Sequence, residues 1–88
     1  MGRYRVFIKP SALKELEAVA REKDRQRLVR RIQDLGEEPR PPGCQKLSGR
    51  ELFRVRQGNY RIVYEVKDQE LTVLIVKVGD RKQIYRSR

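Results

Sequence analysis

Five side chains in the second half of the chain, Arg54, Arg56, Arg61, Arg81 and Tyr85, could together grip and process a phosphate. A guanidinium is permanently charged and presents a planar fork of N–H donors that matches phosphate oxygens. A tyrosine hydroxyl can exchange a proton when nearby positive charge eases its ionisation. The chain has no histidine and a single cysteine, Cys44. That excludes His-ligated metal centres, Ser-His-Asp and Cys-His nucleophiles, and paired-histidine ribonuclease chemistry. Any reaction must use lysine, arginine, tyrosine or carboxylates, and no metal or other cofactor is expected.

The overall charge points the same way. Lys and Arg number 22 against 12 Asp and Glu, a formal net charge of +10 on 88 residues, so the natural partner is a polyanion. A lone cysteine permits no intramolecular disulfide, which suits a reducing cytoplasm. The N-terminus lacks the apolar stretch of a secretory signal, and no run approaches the roughly 20 apolar residues that span a bilayer, so a cytoplasmic location without a membrane partner is expected. Apolar residues are 38% of the chain, below the usual share, yet they fall into periodic segments that argue for a folded domain. A chain this short builds one core, and residues 1–88 are read as one domain.

The arginines need a scaffold. Arg3 to Ile8 alternates Tyr4, Val6 and Ile8 against Arg3, Arg5 and Phe7, the pattern of a strand with one face toward a core. Pro10 stops it, and Ser11 is the expected N-cap of a helix carrying Leu13, Leu16, Val19 and Ala20 to about Lys23. A second helix places Leu28, Ile32 and Leu35 on one face, with Gly36 at its C-terminal cap. Residues 36 to 43 hold three of the four prolines and read as loop. Strands follow at Leu52 to Gln57, Tyr60 to Lys67 and Leu71 to Val78, separated by Gly58-Asn59 and Asp68-Gln69, with Gln45 to Leu47 extending the first across a turn. The expected architecture is α+β, in the order β-α-α-β-β-β, with a helical hairpin packed on one face of a small antiparallel-rich sheet.

A two-residue loop at Gly58-Asn59 sets the register of that hairpin: Val55 opposes Ile62, Arg56 opposes Arg61, Arg54 opposes Val63 and Phe53 opposes Tyr64. Phe53, Val55, Ile62 and Tyr64 then receive the helices, and Arg54, Arg56 and Arg61 share the other side. Directly opposed like charges destabilise a sheet, so an anion is wanted there. Glu65, opposite Leu52, can answer at most one of the three, and Leu74 and Val76 should make that face partly dry. The plainer reading is a solvated basic sheet face. Beyond Gly79, Arg81, Lys82, Tyr85 and Arg86 arrive at the sheet edge, and Arg81 and Tyr85 share a side of any helical turn. The plainer reading there is solvated charge, with Tyr85 packed over the edge.

The segments "ALKELEAV", "KLSG", "LFRVRQGNYRIVYEV" and "VLIVKVGDRKQIYR" together make the chain resemble the RelE/ParE superfamily of toxins, and within it the RelE-like ribosome-dependent mRNA endonucleases. The resemblance spans almost the whole chain, and the hairpin and the Gly-x-Arg-x-x-x-Tyr ending are its specific parts. It implies a RelE-like microbial RNase fold and the toxin of a type II toxin–antitoxin pair. The implied partners are a cognate antitoxin, the 30S ribosomal A site and mRNA. Matched by position, Arg54 and Arg56 fall on the two basic sites of the first hairpin strand, Arg61 on the arginine of the second, and Arg81 and Tyr85 on the pair after the last strand. The family often carries lysine where Arg54 and Arg56 stand; arginine cannot act as a base, which moves proton removal toward Tyr85. The implied reaction is attack of the substrate's own 2′-hydroxyl on the adjacent phosphorus. Tyr85 would act as base, Arg81 at the leaving oxygen, and the other three arginines on the phosphate. Lys46, Arg50, Lys82 and Arg86 are secondary RNA-contact candidates. Two other readings stay open: a ParE-type gyrase inhibitor, which generally lacks the full five-residue set, and a catalytically degenerate RNA-binding relative.

Overall fold

In the computed structural model, which describes residues 3–47 and 51–80, the N-terminal alternation becomes strand β1 (Arg5–Ile8), with Arg5 and Phe7 exposed and Val6 and Ile8 half-buried. Helix α1 (Pro10–Glu17) follows at once. Pro10 occupies its first turn, where a missing N–H is no loss, and Lys9 rather than Ser11 is the N-cap. The helix ends at Glu17, short of the expected Lys23, because Val19 turns inward and is 7% exposed. Its carbonyl accepts a hydrogen bond from Arg25 Nη1 at 2.8 Å, which stitches the corner. Glu22 and Asp24 then sit in the first turn of helix α2 (Glu22–Glu37), where carboxylates meet the positive end of the helix dipole. Leu16 is buried as expected, but its buried companion on α1 is Ala12, whereas Leu13 faces solvent.

Gly36 is not a terminal cap. It lies buried inside the last turn of α2, and a Cβ there would meet Val6 Cγ2 at 2.9 Å and the Tyr4 carbonyl oxygen at 3.1 Å. The Gly36 carbonyl also accepts the Tyr4 N–H at 3.2 Å. Glycine stands here because β1 crosses α2 too closely for a side chain.

The sheet has five strands in the order β1-β5-β4-β3-β2, completed by β2 (Gln45–Lys46), β3 (Leu52–Gln57), β4 (Tyr60–Lys67) and β5 (Thr72–Asp80). β1 lies parallel to β5, and the remaining pairs are antiparallel. The Gln45–Leu47 piece is thus an edge strand of its own. The β4–β5 connection is longer than two residues: a 3-10 turn at Asp68–Glu70, then Leu71 in the left-handed region at φ 50°. β5 continues to Asp80 and carries a bulge, since Ile75 opposes Tyr64 and Lys77 opposes Val63, leaving Val76 without a cross-strand partner.

One face of the sheet is covered. Phe53, Val55, Ile62, Tyr64, Val66, Val73, Ile75 and Val78 are buried there in one cluster with Ala12 and Leu16 of α1 and Leu28, Ile32 and Leu35 of α2. The proline-rich loop closes one end: the Tyr64 hydroxyl donates to the Pro39 carbonyl at 2.6 Å, and burial pushes that hydroxyl's pKa above the usual tyrosine range. Arg40 lies 5.1 Å from the centroid of the Phe53 ring. Its guanidinium reaches both carboxylate oxygens of Asp68, at 3.1 and 2.8 Å, and Glu51 at 2.9 Å, while the Tyr4 hydroxyl donates to Asp68 at 2.7 Å. Arg40, and secondarily Tyr4, hold the Asp68 carboxyl down to about 2.

Candidate functional site

The β3–β4 hairpin carries the centre of the site. Gly58 takes φ +62° in its two-residue loop and Asn59 does not follow it into the left-handed region, which suits a glycine-first hairpin turn and locks the register. Val55 opposes Ile62, Arg56 opposes Arg61, Arg54 opposes Val63 and Leu52 opposes Glu65, as the turn chemistry predicts. With Phe53, Val55, Ile62 and Tyr64 committed to the helices, Arg54, Arg56 and Arg61 are brought together on the face the helices leave open.

Their surroundings differ. Arg61 is 8% exposed and opposes Gly79 across β5. Arg54 is half-buried, and its Nη2 donates to Gln45 Oε1 of the edge strand β2. Arg56 is exposed. The dryness expected of the whole face is therefore strongest at Arg61. Leu74 joins this face opposite Glu65, but Val76 is the bulged residue, and the bulge brings Lys77 into register with Val63. Lys77 Nζ meets Glu15 Oε2 of α1 at 2.8 Å, and Glu15 Oε1 accepts the Val78 N–H at 2.9 Å, covering the stretch of β5 that β1 does not reach.

Lys46 opposes Phe53, which puts it on the opposite side of the sheet from Arg54, and its ammonium sits 3.2 Å from Glu51. Arg40 first, and Lys46 second, lower the Glu51 pKa. Arg81 and Tyr85, together with Arg50, Lys82 and Arg86, lie outside the described residues. Asp80, the last described residue of β5, lies opposite Tyr60, the neighbour of Arg61.

The described tyrosines all hold their protons more tightly than an ordinary tyrosine. Tyr4 is raised by its hydrogen bond to Asp68, and Tyr60 and Tyr64 are raised by burial. Among the described residues no cluster of three or more Cys, Asp or Glu converges as a metal site, and no helix is long and apolar enough to cross a membrane. A cleft of about 360 Å³ lies on the helix side, bounded by Glu15, Val19, Tyr60 and Val78 among others. The arginines stand on the open sheet instead. Sequence reasoning missed Lys77, because only the bulge aligns it, and Arg40, whose partners lie 11 and 28 residues away.

Comparison with known proteins is consistent with this geometry. A family model described as "ParE toxin of type II toxin-antitoxin system, parDE" matches residues 6–85. Toxin RelG of Mycobacterium tuberculosis is 43% identical over 56 residues, spanning 60% of this chain and 62% of that protein. In the archaeal RelE–RelB complex of Pyrococcus horikoshii OT3, the matching chain is 29% identical with a TM-score of 0.80, covering 90% of this chain and 96% of that one. The toxin–antitoxin complex RelBE2 of M. tuberculosis gives 27% identity and a TM-score of 0.78, over 90% of this chain and 99% of that one.

Proposed function

Because the chain belongs to the ParE toxin family of type II toxin–antitoxin systems and shares the fold of RelE toxins, we propose that it is a metal-independent endoribonuclease that cuts mRNA in the ribosomal A site. The observation that carries this reading is the convergence of Arg54, Arg56 and Arg61 on the sheet face turned away from α1 and α2, with Arg56 set directly against Arg61. Guanidinium groups set side by side offer paired forks of N–H donors, and a phosphate is the anion that fork geometry fits. As the reaction proceeds, negative charge grows on the phosphoryl oxygens. Donors already in place stabilise that charge without reorganising.

The base is left to Tyr85, because Tyr4, Tyr60 and Tyr64 each hold their protons more tightly than an ordinary tyrosine. Tyr85 would take the proton of the 2′-hydroxyl, and that oxygen would attack the adjacent phosphorus. The 5′-oxygen would then leave with its growing charge stabilised by Arg81 and take a proton from solvent water, giving a 2′,3′-cyclic phosphate and a free 5′-hydroxyl. So few catalytic groups call for substrate positioning from outside, which the cytoplasmic ribosome would supply. A RelB-like antitoxin is the partner that would silence the protein, as the complexes of its structural neighbours suggest.

The family description also names ParE, which favours a second reading, a non-enzymatic inhibitor of DNA gyrase. One experiment separates them. Purified toxin on programmed ribosomes should cut message within the A-site codon and leave cyclic phosphate ends. Tyr85→Phe should bind as tightly yet cut on the order of 100- to 10,000-fold more slowly, the usual size of a missing general base. A 2′-deoxy nucleotide at the cut should stop the reaction. Cleavage of that substrate refutes the mechanism, and gyrase inhibition without any mRNA cleavage establishes the second reading.

A further inference from the structure

The sheet face turned away from α1 and α2 carries an aromatic residue that the phosphate site does not use. Alternation along β1 turns Arg5 and Phe7 outward, Lys9 continues the pattern, and all three are exposed. Phe7 is 51% exposed and pairs in register with Leu74, which opposes Glu65, which opposes Leu52. The row Phe7, Leu74, Glu65, Leu52 therefore crosses the same face as Arg54, Arg56 and Arg61. Resting on the ribonuclease reading above, we propose that Phe7 is a stacking platform for an unpaired base of the RNA strand whose phosphates Arg54, Arg56 and Arg61 hold.

The chemistry of the face selects this occupant. Binders of single-stranded nucleic acid combine a cationic track for the backbone with aromatic faces on which bases stack. Here the cations lie along β3 and β4 and on either side of Phe7 itself. The Glu65 carboxylate in the Phe7 row disfavours a phosphate there and leaves that row to a base. Phe7 lies two strands from Arg61 and four ladder steps along the sheet, so roughly 10 Å across and 14 Å along. At that separation the stacked base belongs to a nucleotide flanking the cut rather than to the scissile step, and Phe7 acts as a positioning residue.

The test compares Phe7→Ala, Phe7→Leu and Phe7→Trp in the full chain, since an exposed position allows all three to fold. The probe is a short, uncleavable 2′-O-methyl single-stranded RNA carrying 2-aminopurine, whose fluorescence is quenched on stacking. Parent and Phe7→Trp should bind and quench it. Phe7→Ala and Phe7→Leu should bind about 5- to 150-fold more weakly, the range for losing one stacked base, and quench little. On programmed ribosomes the half-saturating toxin concentration should rise by a similar factor while the saturated cleavage rate holds. If the parent cuts no ribosome-bound message, the ribonuclease reading falls, and the 2-aminopurine binding still decides the role of Phe7. RNA affinity of Phe7→Ala within twofold of parent, or parent-like behaviour of Phe7→Leu, overturns the proposal. So does a loss confined to antitoxin binding, which would make this face a protein interface instead.

Discussion

Replacing Arg56 by Gln should make the protein more stable and less active at once. Arg56 is exposed, but the position directly across the hairpin holds Arg61, which is 8% exposed, so its charge is poorly screened by water. Opposed like charges on neighbouring strands cost about 0.2–1 kcal/mol relative to a neutral pair. Glutamine keeps much of the stem that covers the sheet and removes only the charge. For 88 residues the entropy of unfolding near the midpoint is about 0.18 kcal/mol/K, from roughly 2.1 cal/mol/K per residue. The melting temperature should therefore rise by about 1–5 °C in low salt. Thermal melts followed by circular dichroism check this, with Arg56→Lys as the control that keeps the charge and the parent's midpoint. The gain should shrink toward 1 M salt, where the screening length falls to about 3 Å. Cleavage by Arg56→Gln should drop on the order of 100-fold, as when one transition-state donor is lost. A variant that melts at or below the parent in low salt refutes the like-charge argument, whatever happens to activity.

Two further outcomes follow from named contacts. Gly36→Ala would normally gain about 1 kcal/mol inside a helix, but its methyl would meet Val6 Cγ2 at 2.9 Å and the Tyr4 carbonyl at 3.1 Å. Overpacking costs about 1–3 kcal/mol, so the variant should unfold at lower urea than the parent, and a higher midpoint would show that β1 can move away. Asp68 is held at about 2 by Arg40 against an ordinary value of 3.8, so its contribution is fully present above pH 3.8 and is lost as pH falls through 2. Melts of Asp68→Asn against parent from pH 7 to 2 should show a constant deficit above pH 4 that closes by pH 2; a deficit independent of pH would mean that the Arg40 contact does not depend on the charge of Asp68.

Much of the site's frame was legible in the chain. The hairpin register follows from local rules: a glycine that tolerates positive φ, a two-residue loop, and alternation that sends Phe53, Val55, Ile62 and Tyr64 one way and the arginines between them the other. The absence of histidine and the +10 charge narrowed the chemistry without any coordinates.

What the sequence by itself determined is thus what depends on neighbours in the chain: element types, hairpin register, and the side of the sheet that Arg54, Arg56 and Arg61 occupy. The tertiary structure decided the rest. α1 stops at Glu17 because Val19 finds the core and Arg25 finds its carbonyl. Gly36 stays helical because β1, some thirty residues earlier, presses against it. Arg40 belongs to the stability of the loop rather than to the basic face, since Asp68, Glu51 and the Phe53 ring converge on it from other elements. The bulge at Val76 brings Lys77 rather than Val76 into line with Val63. Each of these depends on groups distant in sequence meeting at a few ångströms, and periodicity along one segment carries no information about the shape of the surface that segment will meet.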